Sequence, residues 1–430
     1  MAETVLPTSH SSTPPEETDE QRKVSFPFQI LYFLSTISGH LTILPTVIML
    51  LPLQIRMLDP HTSEITLGWV EAVGGIASVI AAPIIGAISD RTTARLGRRR
   101  FWMLISAVCV ALSLLLMANS QLIWMLALGW FLVQFFADSI TTLLQAIIPD
   151  RIPRKQRGLL SSYVGLATPL AAVLGSIIVA VIFKKNQLSA YYVLMGIVLV
   201  MVLLFTLVYR EKPISKNEVP PFQLGAFLKK FWVSPRKHPD FAWAFVTRLL
   251  LFLGYFAVTT FLQYYLKDVL QYEKLFPGKT VNDGILAFQS TLLVPMLLSS
   301  FVGGIISDKL QRRKPVVTAA ALLVMISFLI PAFATSWIAV QIWAVVLGIG
   351  YGAFFAVDTA LATQVLPNKE DRGKDIGIIA LALALPQIFS PMIGSGVLAL
   401  TQRSYSALFV VGAIFALFSA VLVWRIKSVR

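Results

Sequence analysis

Charge is scarce in this chain of 430 residues: Asp, Glu, Lys and Arg make up 13% of it, where a soluble globular chain carries about a quarter. Hydrophobic residues make up 56% and the mean hydropathy is +0.75, so lipid rather than water surrounds most of the chain. Cysteine occurs once, at Cys109 inside an apolar run, which excludes an internal disulfide and a cysteine-based metal site. Of the four histidines, His10, His61 and His238 lie in the tail or in loops, leaving His40 with no partners for a metal cluster or a nucleophile and base. Membrane catalysis such as acyl or glycosyl transfer therefore lacks its machinery, and the chain is read as not an enzyme, with no cofactor and no metal. The sequence GxxxxGK[ST] is absent, which argues against ATP-driven transport within the chain.

What is present is a series of apolar runs, each near the roughly 20 residues that a helix needs to cross about 30 Å of hydrocarbon. They read as residues 26–52, 67–88, 101–118, 122–147, 158–183 and 188–209, then 241–266, 284–306, 316–333, 337–364, 375–401 and 405–426. A polar stretch, 210–240, separates the two sets of six. Residues 1–25 are rich in Pro, Ser, Thr and Glu, lack the pattern of a cleaved signal, and are read as a disordered cytoplasmic tail, with a second short tail at 427–430. The 36 basic and 22 acidic side chains give a formal charge of +14. Most of the basic ones fall on the side of the chain ends: Arg91, Arg95, Arg98, Arg99 and Arg100 crowd one loop of that side, whereas Arg56 is alone in the first loop opposite. This is the positive-inside pattern, so both termini are expected in the cytoplasm of a cell carrying the protein in its plasma or inner membrane. It accounts for the high charge without nucleic acid. Membrane lipid and a small solute are the expected partners, and the chain is expected to be a monomer.

The two sets of spans echo each other. The second ends Gly86-Ala-Ile-Ser-Asp90 before its arginine-rich loop, and the eighth ends Gly304-Ile-Ile-Ser-Asp308 before another. The loops after the fourth and tenth spans, closing at Gly158 and Gly373, repeat at nearly the same interval. An all-α membrane protein of twelve transmembrane helices in two pseudo-symmetric six-helix bundles resembles the major facilitator superfamily, and the resemblance covers residues 26–426. It implies two halves rocking by alternating access about a midplane site. The run Asp90-Arg91-Thr-x-x-Arg95-x-Gly97-Arg98-Arg99-Arg100 resembles the signature loop of that family, with the longer Asp-to-Gly spacing of the glycoside, pentoside and hexuronide cation symporters and the sucrose-type transporters. Phe101 follows where that branch has proline. The resemblance implies a symporter for a sugar or glycoside. Export of drugs or other metabolites, and a non-transporting receptor or assembly factor on the same fold, are the competing readings.

In that loop Gly86 is expected to let the second span pack closely on a neighbour. Asp90, Arg91, Gly97 and Arg98, with Asp308 in the second half, are expected to form a conformational latch made in one state and broken in another. Arg99 and Arg100 are expected to contribute less and to meet lipid.

Ionisable groups at membrane depth are costly and few. His40, Asp138, Arg248 and Asp358 fall on the first, fourth, seventh and tenth spans, the ones that line the cavity in the facilitator fold. Arg248 lies about 10 Å and Asp358 about 13 Å from the inner side by helical rise, so they are expected to pair as an inner gate, a substrate clamp or a static ion pair. Asp138 lies deeper, about 16 Å from Pro149. Desolvation there disfavours its charged form, so it is the first candidate for coupling, by proton or alternatively by sodium, with His40 second. The symporter resemblance also implies a carboxylate on the fourth helix. The alternative is an aspartate bonded permanently to Gln134 or Thr141. Glu71 is expected near the membrane interface. Sugar sites combine hydrogen-bonding side chains with aromatic platforms, which makes Gln134, Thr141, Gln263, Gln289 and Gln387 with Tyr255 and Tyr351 the substrate-binding candidates. Pro45 is expected to kink the first helix.

Overall fold

The computed structural model describes residues 24–211, 236–310, 312–365 and 372–428. The tail expected at 1–25 and the central loop expected at 210–240 lie for the most part outside them. Among the described residues, twelve helices are long and apolar enough to cross a membrane: α1 (Phe26–Leu58), α2 (Ser63–Ser89), α3 (Arg98–Ala118), α4 (Ile123–Arg151), α5 (Gln156–Ile182), α6 (Gln187–Val208), α7 (Pro239–Val269), α8 (Val281–Leu310), α9 (Arg313–Phe333), α10 (Trp337–Gln364), α11 (Gly377–Leu400) and α12 (Tyr405–Arg425). The expected spans coincide with them to within a few residues at most ends. The helices run longer where polar residues extend them beyond hydrocarbon, as at Val281 to Leu310 against an expected 284–306. Only helices satisfy every backbone group within a single segment in lipid.

Packing repeats between the halves. In the first, α4 lies against α2 and α3, α1 against α5 and α6, and α3 against α6; advancing each number by six gives the packing of the second. Small residues permit the tightest of these contacts. A Cβ on Gly348 or Gly352 of α10 would stand 2.6 or 2.1 Å from a backbone oxygen of α8. Between the halves, α2 packs on α11 and α5 on α8.

Three spans widen into π geometry near one face of the protein. Five-residue π-helical turns occupy Thr46–Leu50 in α1, Ile178–Ile182 in α5 and Tyr265–Val269 in α7. The first follows Pro45, which packs with its ring 2.7 Å from where a Cβ of Gly175 would be. The expected disturbance at Pro45 thus takes the form of a widened turn. The turn in α7 has no proline and no mark in the sequence.

The loop from α1 to α2 shows how local chemistry starts a span. Asp59 accepts from the Thr62 amide at 3.1 Å and its hydroxyl at 2.7 Å, and from the Thr66 hydroxyl at 2.5 Å. These donors, Thr66 first, hold the carboxyl below its usual range and fix the first turn of α2.

Candidate functional site

An even number of spans puts both chain ends and the arginine-rich α2–α3 loop on one face, termed inner, opposite a face termed outer. The polar contacts that join the halves cluster toward the other, outer face. Arg56 of α1 pairs with Asp268 of α7 at 2.6 Å, and the Tyr264 hydroxyl donates to the Pro52 carbonyl at 3.0 Å. The Gln263 amide donates to the Met49 carbonyl at 3.0 Å and to Asn282 at 2.8 Å, and Asn282 in turn donates to Gln187 of α6. Arg403 approaches Glu64 at 3.3 Å, and Lys184 donates to the Gly278 carbonyl. Met49, which supplies one of these carbonyls, and Asp268, which supplies the carboxylate, belong to the π turns of α1 and α7.

The glycines of α2 report how the interface changes with depth. A Cβ on Gly68 would lie 2.4 Å from the Ser395 hydroxyl, and one on Gly75 2.7 Å from the Gln387 backbone, so α2 and α11 touch over the outer half of α2. Gly86, near the inner end, has nothing within 4 Å, and the same holds for Gly158 and Gly165 of α5 and Gly304 of α8. This corrects the expectation that Gly86 packs closely. The halves meet at the outer face and part toward the inner one, so Gly86 stands where they have separated. The halves are thus apart at the inner side, where in the facilitator fold α1, α4, α7 and α10 line the cleft.

On the N-terminal bank, Asp138 of α4 is partly exposed. Its Oδ2 is buried with no hydrogen-bond partner, and Ser78 of α2 stands in hydrogen-bonding reach of the carboxyl. The Thr141 hydroxyl donates instead to the Asp138 backbone carbonyl at 2.9 Å, so it does not tie up the carboxylate. Gln134 is buried with its Oε1 unpartnered. His40 of α1 places Nδ1 2.9 Å from the Thr36 carbonyl of its own helix.

On the C-terminal bank, Arg248 of α7 and Asp358 of α10 come together as expected, Nε to Oδ2 at 3.3 Å, with side chains 9% and 2% exposed. Arg248 also donates to the Thr359 hydroxyl at 3.3 Å and lies over the Phe252 ring. The pair belongs to one half and spans no interface between halves. Above it, Tyr255 and Tyr351 stack with centroids 4.4 Å apart at 30°, and Phe355 continues the stack from Tyr351. Gln289 and Gln387 are partly exposed on α8 and α11. Gln263 is not available to a solute in this state, because the outer contacts engage its amide.

At the inner face the signature loop forms a network within the N-terminal half. Arg98 reaches Asp90 at 3.5 Å, Asp150 at 2.9 Å and Glu211 at 3.4 Å. Arg99, which the sequence ranked low, pairs with Asp150 at 2.6 Å with its side chain 7% exposed. Arg91 donates to the Ala87 carbonyl of its own helix. Gly97 has φ +95° and ψ 155°, a conformation confined almost wholly to glycine, and the Glu211 side chain fills the space a Cβ would need. Asp308 is exposed at the inner end of α8.

Sequence reasoning missed Glu71. It is 7% exposed rather than interfacial, and its Oε2 accepts from the Thr260 hydroxyl of α7 at 2.8 Å, across the halves. The only available signal was a carboxylate within an apolar span. Among the described residues no group of three or more His, Cys, Asp or Glu could hold a metal ion.

Comparison with known proteins agrees with this architecture. The chain is 26% identical to the multidrug resistance protein MdtG of Enterobacter lignolyticus (strain SCF1), over 82% of this chain and 80% of that one. It is 24% identical to MdtG of Citrobacter koseri, over 83% and 84%. The solved structure of the nucleoside transporter NupG superposes with a TM-score of 0.70 at 17% identity, covering 92% of this chain and 98% of that one. A bacterial homolog of the human lysosomal transporter Spinster, inward-facing and occupied, gives 0.70 at 14% identity over 93% and 95%. The sequence profile of the Major Facilitator Superfamily matches residues 30–294 and 283–430. With its twelve helices, its repeated packing and its signature loop between α2 and α3, this chain is a transporter belonging to that superfamily.

Proposed function

We propose that the protein is a proton-coupled secondary transporter that expels amphipathic organic molecules bearing a ring and a positive charge. One observation carries this reading: the Tyr255–Tyr351 stack on one bank of the inward-open cleft and the partnerless Asp138 Oδ2 on the other. A flat ring extends the aromatic stack, and a cation neutralises Asp138 without needing a fixed counter-ion. A proton does the same job, so proton and cargo compete for one carboxylate, which is the requirement for exchange. The positive-inside pattern makes the inner face cytoplasmic, so the cleft faces the cell interior of a plasma or inner membrane. The likeness to proteins named for multidrug resistance agrees in kind.

Transport of a sugar or another polar solute is the second reading. The buried, unpartnered Oε1 of Gln134 favours it, since a solute hydroxyl would satisfy that acceptor. A thermal-shift screen of purified protein against aromatic cations and sugars, followed by counterflow in proteoliposomes, separates the two. The export reading expects aromatic cations to stabilise and to exchange, and an imposed pH step rather than a sodium step to drive accumulation. Stabilisation and counterflow by sugars, with no response to cations, would overturn it.

A further inference from the structure

Glu71 sits eight residues below the outer end of α2, about 12 Å into the helix by its rise. Its bond to Thr260 is one of the contacts that hold the outer face shut. One carboxyl oxygen accepts from Thr260 across the halves at 2.8 Å, and the other, Oε1, is buried with no partner.

The surroundings offer no counter-ion among the described residues. Against α2 lie α4, whose residues 123–137 hold no charged group and whose Asp138, itself an acid, reaches Ser78 seven residues inward of Glu71, and α11, whose residues 377–400 hold none. From α7 come Thr260 and Tyr264, the second a phenol committed to the Pro52 carbonyl. At the outer end of α1, Arg56 is bonded to Asp268, and on α2 itself Glu64 is met by Arg403. α3, a minor neighbour, carries only Cys109 beyond its inner-end arginines. A carboxylate without a cation in a dry interior is costly, whereas the neutral acid leaves at most one hydroxyl without a partner. When the halves part at the outer face, the Thr260 bond breaks and water reaches the group.

We propose that Glu71 is a proton-binding site built into the outer gate, neutral while the gate is shut and ionised when it opens. The proton is taken from and returned to the outer side, so the site sets how readily the gate shuts and carries no net charge inward. It acts in this way whatever the solute is and whether or not Asp138 couples transport to protons.

The sign follows from linkage. The shut form binds one proton more than the open form, so raising the pH favours opening, by up to about tenfold in the open-to-shut ratio per pH unit. The test uses spin labels at Met57 and Leu275, exposed positions on the outer ends of the two halves, in a Cys109→Ser background. Pulsed electron resonance then reads the distance distribution as pH is varied. The long-distance population should grow with pH in the otherwise native protein and stay constant in Glu71→Gln. Thr260→Val should keep the response but open at lower pH, and this arm stands if the Gln variant does not fold. The response should persist in Asp138→Asn, which separates this site from the coupling residue. An unchanged pH response in Glu71→Gln, an unshifted one in Thr260→Val, or no response in the native protein would overturn the proposal.

Discussion

The two halves repeat one packing plan and treat buried acid differently. In the C-terminal half, Asp358 has Arg248 at 3.3 Å and both side chains are buried. In the N-terminal half, Asp138 and Glu71 each keep an oxygen with no partner, and their neighbours in reach are the hydroxyls of Ser78 and Thr260. A guanidinium beside a carboxylate favours its charged form, a bias that an acid facing only hydroxyls lacks. Repetition of the fold thus supplies two equivalent frames that differ in the partner given to the buried acid, and on the proposed reading the solute's ring rests on the C-terminal half while its charge and the proton compete on the N-terminal one.

The largest effect that would test this division is on coupling. Asp138→Asn should abolish uphill transport, bringing the accumulation ratio in proteoliposomes to about one, while exchange persists. Uphill transport by that variant would move the coupling role elsewhere. Next is the cost of stripping a partner from the C-terminal pair. Arg248→Met should destabilise by about 3–5 kcal/mol, because it leaves Asp358 buried and uncompensated, and charge reversal at both positions should recover part of the loss. Thermal unfolding in detergent measures both, and no recovery would count against the pairing.

Smaller effects should sort along the interface between the halves rather than between their interiors. Gly75→Val forces a side chain into the Gln387 backbone and should cost about 1–3 kcal/mol, whereas Gly86→Val, with space around it, should stay within about 0.5 kcal/mol. Equal losses at the two sites would contradict an interface closed outside and open inside. The smallest effect is expected at the rim. Arg56 and Asp268 are 19% and 34% exposed, so Arg56→Gln should change stability by about 1 kcal/mol or less, measurable as a slight shift in unfolding temperature that added salt reduces.

Part of the site is legible in the amino-acid order alone. The pairing of Arg248 with Asp358 follows from depth, because two opposite charges at similar height in neighbouring spans have few other ways to be satisfied. The spans are legible for the same reason that lipid tolerates little variety in them. Arg99 and Asp150 show no connection in the sequence, since a loop arginine reads the same whether it meets lipid or a carboxylate 51 positions later. Gln263 reads as a solute ligand because its type suits one, although its amide closes the outer face. Glu71 reads as interfacial because counting residues from the end of a span does not show which helix lies alongside.

By itself the sequence determined the number of spans and the twofold repeat, because hydrophobic length and the short motifs that end a span act on each segment separately. Only the tertiary structure decided which face is closed, that Gly68 and Gly75 rather than Gly86 carry the contact between the halves, and that Glu71 bonds to Thr260 across them. Those outcomes depend on how two rigid bundles lean against each other, an arrangement set by contacts between residues almost two hundred positions apart and readable from neither half alone.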